Sequence, residues 1–85
     1  MKPYNPDLWT IEQVIENLNQ ADNNAIPRAL TWMRDKSTSV LLYWGKDDNL
    51  WECSWITGGK RYTGHSQNMT AAIVASLLKA KHHTA

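Results

Sequence analysis

Phenylalanine is absent from this 85-residue chain, cysteine occurs once, proline three times and glycine four times. The lone thiol, Cys53, closes no internal disulfide, and small domains of oxidising compartments usually depend on two or more bridges. A reducing, cytoplasmic setting is therefore expected. Long apolar runs are missing too: Val40 to Trp44 and Ala71 to Ala75 are the longest, far short of the ~20 residues of a membrane span. Met1 to Asp7 has no apolar h-region, so neither a signal peptide nor a membrane helix is expected. Neither sign of charge predominates: a net +1 gives no global attraction to nucleic acid, anionic lipid or acidic ligands. With no repeat and no Pro-, Gly- or Ser-rich linker, the chain reads as one domain over 1–85. Residues 1–8 are expected to be extended or disordered, and 82–85 to fray.

What is present is a set of five Trp and three Tyr within an apolar share of 42%, enough to fold. All eight aromatics carry a polar atom on a large apolar body, the combination suited to positions with one buried end and one wet end. Charge is also segregated. Residues 1–24 hold Lys2 against Asp7, Glu12, Glu16 and Asp22, whereas residues 60–85 hold Lys60, Arg61, Lys79, Lys81 and three His with no acid. The two ends are expected either to attract each other or to form separate solvated faces.

Thr10-Ile11-Glu12-Gln13 fits a capping box, with Trp9 and Val14 placed for a hydrophobic staple. Ile11, Val14, Ile15 and Leu18 then form one apolar stripe, which predicts a helix over about 10–20. A second helix starts after Asn23 or Asn24, with Pro27 in its first turn, where a missing N–H costs little. Ile26, Ala29, Leu30 and Met33 make its stripe; Trp32 lies beside it and either widens the buried face or is exposed. From Ser37 the period becomes two. Thr38 to Trp44, Leu50 to Thr57 and Lys60 to His65 read as strands, joined by Lys46-Asp47-Asp48-Asn49 and by Gly58-Gly59. Asn68 to about Lys81 reads as a helix capped by Asn68 or Ser66, with Met69, Ala72, Ile73, Leu77 and Ala80 inward. The fold class is α+β in the order ααβββα, a three-stranded antiparallel meander with the last helix packed on it.

The two loops fix a register. Gly58-Gly59 pairs Trp55 with Tyr62 and Cys53 with Gly64; a four-residue first loop pairs Trp44 with Trp51, Leu42 with Cys53 and Val40 with Trp55. One face then collects Val40, Leu42, Trp44, Trp51, Cys53, Trp55 and Tyr62, and the helices are expected to cover it. The other is mixed, with Leu41, Tyr43 and Ile56 among Ser39, Glu52, Ser54, Arg61 and Thr63. A slip of one residue in the first strand would bury Glu52, so the core requirement favours this register. Two arrangements are open for the second face: helix 1 crosses to it, making an α/β/α sandwich, or a partner covers it.

No set of residues has the spacing of a catalytic, metal or phosphate site. Cys53 falls on the buried face, Asp47-Asp48 reads as a solvated turn, and His82-His83 with one distant cysteine lacks zinc-ligand spacing. Gly58-Gly59 joins two strands rather than a strand and a helix. No cofactor and no enzymatic activity are expected.

Two resemblances bear on function. Trp51-Glu52-Cys53-Ser54-Trp55, the Gly turn, a short strand and Thr70 to Ala80 resemble the ending of small cytosolic α/β proteins of bacteriophages and prophages, and are similar to antitoxin-type strand-helix modules. This implies an accessory or regulatory binder. Separately, the order helix, three strands, helix over residues 24–81, with Gly59 to Ser66 and Ala71 to Ala75, resembles double-stranded RNA-binding domains. The basic pair of that family at the start of the last helix is replaced by Gln67 and Asn68. The leading expectation is a non-enzymatic protein-interaction module, its partner an unidentified protein or a second copy, binding through Trp32, Leu41, Tyr43 and Ile56. Tyr4 is a further candidate for exposure. The alternative is a nucleic-acid binder using Lys60, Arg61, Tyr62, His65, Lys79 and Lys81, with Tyr62 stacking on a base.

Overall fold

The computed structural model describes residues 9–20 and 24–84. The expectations for residues 1–8, Tyr4 included, and for Asn23 as a cap lie outside them. The elements are α1 (Ile11–Asn19), α2 (Ala25–Lys36), β1 (Ser39–Gly45), β2 (Leu50–Thr57), β3 (Lys60–Ser66) and α3 (Met69–Thr84). The fold is α+β in the order ααβββα, and the sheet is an antiparallel meander, β1-β2-β3.

Local chemistry accounts for the boundaries. Thr10 Oγ1 accepts from the Gln13 N–H at 3.2 Å while Gln13 Oε1 accepts from the Thr10 N–H at 2.8 Å, so the capping box satisfies two otherwise orphaned donors. Asn68 Oδ1 caps α3 by accepting from the Ala71 N–H at 3.1 Å, and Ser66 Oγ accepts from the Asn68 N–H at 3.3 Å. Asn49 takes φ +56°, Gly58 +60° and Gly59 +79°, the left-handed conformations that close the two hairpins. Each closure sets the expected register: Trp44 opposite Trp51, Leu42 opposite Cys53, Trp55 opposite Tyr62 and Cys53 opposite Gly64.

The core lies between one sheet face and the helices. Cys53, Trp55 and Tyr62 are buried there with Ala72, Ile73, Leu77 and Ala80 of α3 and Ala29, Trp32 and Met33 of α2. Burying a side chain the size of Ile73, Leu77 or Met33 contributes about 1.5–3 kcal/mol. Backbone approach is closest at Gly64: a Cβ there would stand 2.4 Å from the Ala72 carbonyl oxygen and 2.5 Å from the Ser76 nitrogen. Only glycine lets α3 settle this close to β3.

One open alternative is resolved and one expectation is corrected. Of the two arrangements left open for the second face, the α/β/α sandwich is not the one formed, since helix α1 packs against α2 and α3. Its stripe, Val14 and Leu18 buried beside half-buried Ile11 and Ile15, is consumed by the other helices. Helix α3 runs through Thr84, where His83 packs against Tyr62 with ring centroids 5.8 Å apart and its Nε2 lies 2.7 Å from Lys60 Nζ. Trp44, placed under a helix by alternation, is 42% exposed. It shares the helix-side face but lies at the end the helices leave open, edge-on to Trp51 at 5.5 Å.

Candidate functional site

The face opposite the helices is the candidate site. Alternation sends Leu41 and Tyr43 of β1, Glu52, Ser54 and Ile56 of β2, and Arg61, Thr63 and His65 of β3 to this side. Leu41 is 49% exposed and Tyr43 42%, while Ile56 is half-buried. Of the four expected partner-binding residues these three fall on one surface. Trp32 does not: it is buried, tilted against Trp55 at 6.0 Å, and its Nε1–H donates to the Trp9 carbonyl at 3.0 Å. A ring beside an apolar stripe widens the stripe when a neighbouring sheet supplies a second aromatic, and Trp55 does so here.

One constellation on this face has no counterpart among the expected site residues taken as a group. Register aligns Tyr43, Glu52 and His65 across the three strands. Glu52 Oε1 stands 2.5 Å from His65 Nε2, and its carboxylate also accepts from the Tyr43 hydroxyl. The Tyr43 bond, with a smaller contribution from His65, holds the Glu52 carboxyl below the ordinary carboxylate range; the same bond raises the Tyr43 phenol. The signal was implicit in the two loops, which set 43 opposite 52 and 52 opposite 65. In the adjacent row the Ser54 and Thr63 hydroxyls bond each other at 3.1 Å. A carboxylate steadying an imidazole is also how general bases are oriented. The only thiol, however, points to the opposite face, where burial pushes Cys53 up and Ser76 Oγ donates to it at 3.5 Å. The trio links polar side chains of the three strands on an open surface.

The basic residues do not form one patch. Lys60 and Tyr62 point to the helix side and Arg61 and His65 to the open side. Tyr62 is buried between Trp55 and His83 and is not free to stack on a base, which corrects its expected role. Lys79 Nζ donates to the Thr63 carbonyl at 2.5 Å, and Lys81 lies 3.8 Å from Glu12, joining the basic end to the acidic one.

Among the described residues, grooves flank the core. One, of about 390 Å³, runs between α2 and β1 and is lined by Leu30, Thr31, Arg34, Val40 and Leu42 among others. The second, of about 490 Å³, lies between the end of α1 and α3, with Leu18, Val74 and Leu78 on its walls. Neither includes the Tyr43 trio. Among the described residues no cluster of His, Cys, Asp or Glu is placed to hold a metal ion, and no helix is long and apolar enough to cross a membrane. No protein-family model, no curated protein and no solved structure matches this chain.

Proposed function

We propose that the chain is a non-enzymatic protein-interaction domain that recognises its partner through strand β1 and the adjoining sheet face. The observation that carries this reading is the exposure of Leu41 and Tyr43 beside Ile56 on a face to which none of the described helices is applied. Apolar side chains grouped on an uncovered sheet face, rimmed by Arg61, His65 and Glu52, have the make-up of an interaction surface with a polar rim. The antiparallel sheet tolerates a wet second face, so the fold itself does not require these residues to be apolar.

A photo-reactive amino acid at position 41, compared with one at exposed Glu16 on α1, tests the reading in cells producing the chain. Adducts at 41 that are absent at 16 are expected. Equal labelling at both positions would sink the proposal.

A further inference from the structure

Strand β1 is an edge strand, and among the described residues nothing pairs with its outer side. Alternate residues of an antiparallel edge direct their N–H and C=O groups outward, which makes the edge a template for another strand. Native edges are usually blunted by lysine, proline or a bulge, and Ser39-Val40-Leu41-Leu42-Tyr43-Trp44-Gly45 contains no charge, no proline and an unbroken register with β2. Resting on the interaction-surface reading above, we propose that the partner is a second copy of this chain, its β1 paired antiparallel with this β1 about a two-fold axis at Leu42.

Three observations select that occupant and that direction. First, the strand is self-complementary: with Leu42 opposite Leu42, Leu41 meets the second copy's Tyr43 on the open face. Ser39 meets Gly45 on that same open face, and on the helix side Val40 meets the second copy's Trp44, so every facing pair is apolar or small.

Second, the pairing fills a hole with a knob. Exposed Trp44 of each copy is delivered opposite Val40 of the other, at the mouth of the 390 Å³ groove walled by Leu30, Val40 and Leu42. The exposed indole and the open groove, unrelated within one chain, become complementary between two.

Third, the strand ends differ in charge. Arg34-Asp35-Lys36 precedes β1 with two cations to one acid, and Lys46-Asp47-Asp48 follows it with two acids to one cation. Antiparallel pairing sets each acidic turn beside the other copy's basic end, whereas parallel pairing would set like beside like.

Sedimentation equilibrium of the wild type, with cross-linking in a Cys53→Ala background, tests this. The expected species has twice the 9.7 kDa of one chain and dissociates on dilution. Facing residues of an antiparallel pair have Cα atoms about 4.5–5.5 Å apart, within disulfide reach, so Leu42→Cys cross-links to itself under mild oxidation. Leu41→Cys, which the register sets opposite Tyr43, does so far less. Trp44→Ala, at an exposed position, retains the monomer's circular dichroism and weakens association about tenfold or more.

A chain that stays monomeric at high micromolar concentration overturns the proposal, as does a dimer indifferent to Trp44→Ala or cross-linked through Leu41→Cys in preference to Leu42→Cys. The photo-adducts separate the two claims. Adducts at position 41 to a different protein, from a monomeric chain, overturn self-pairing and leave the interaction surface standing. Absence of specific adducts together with a monomer overturns both.

Discussion

Strands β1 and β3 both border the sheet, and they are finished in opposite ways. Along β3 the helix comes down onto Gly64, Lys79 reaches over to the Thr63 carbonyl, and Lys60 meets His83 at the far end. Its own residues include Lys60, Arg61 and His65, the kind of charged edge that discourages another strand. Along β1 helix α2 stands off, leaving a groove, and five consecutive apolar residues run along the border from Val40 to Trp44. A small sheet with one edge closed and one bare has a directional surface, and that difference is what the proposed β1 pairing rests on.

Substitutions on the closed side should cost most. Gly64→Ala drives a methyl into the backbone of α3 at Ala72 and Ser76, and we expect a loss of about 3 kcal/mol, at the upper end for overpacking, in urea unfolding. A loss under about 1 kcal/mol would mean that α3 is not held on β3 as described. Lys79→Ala removes a charged donor from the Thr63 carbonyl on a solvent-facing border; about 1 kcal/mol is expected from the same measurement. On the bare side, Leu41→Ser should change the stability of the isolated chain by less than about 0.5 kcal/mol, because the side chain is already half in water. A large cost there would show that the second face is covered.

The smallest effect concerns pH. The Tyr43 hydroxyl and His65 keep the Glu52 carboxyl below its ordinary range, so the folded state binds that proton less readily than the unfolded chain does. The stabilisation is therefore present above the usual glutamate pKa of about 4.3 and is lost as pH falls through and below it. Thermal midpoints of wild type and Glu52→Gln measured from pH 7 to pH 3 should converge on the acid side. Divergence toward low pH would reverse the sign and refute the assignment.

Much of this was legible in the chain itself, for identifiable reasons. Two short loops with left-handed residues at Asn49, Gly58 and Gly59 leave a single register that keeps Glu52 out of the core, so strand pairing followed from counting. The capping box at Thr10 and the Asn68 cap are local chemistry and were equally readable. Trp32 and Trp44 were not. Alternation and stripe spacing say which way a side chain points, but its burial depends on how far a helix from elsewhere extends over it. Here Trp32 meets Trp55, while the helices leave Trp44 largely uncovered. The position of α1 was undetermined for the same reason, since an amphipathic helix is satisfied by any apolar surface. The Tyr43, Glu52 and His65 row was present in the register but invisible to a motif search, since the three lie on different strands.

The contact between Gly64 and α3 also makes Cys53 a built-in clock. Its thiol lies under that contact, wholly buried, and burial holds it protonated beyond the ordinary thiol range. A thiol reagent reaches the sulfur only in the fraction of molecules whose last helix has lifted. When reclosing outpaces the reagent, the labelling rate of the unmodified chain is the intrinsic thiol rate multiplied by the population of that opened form. One residue thus reports how often the closed border of the sheet comes undone, without any substitution to disturb it.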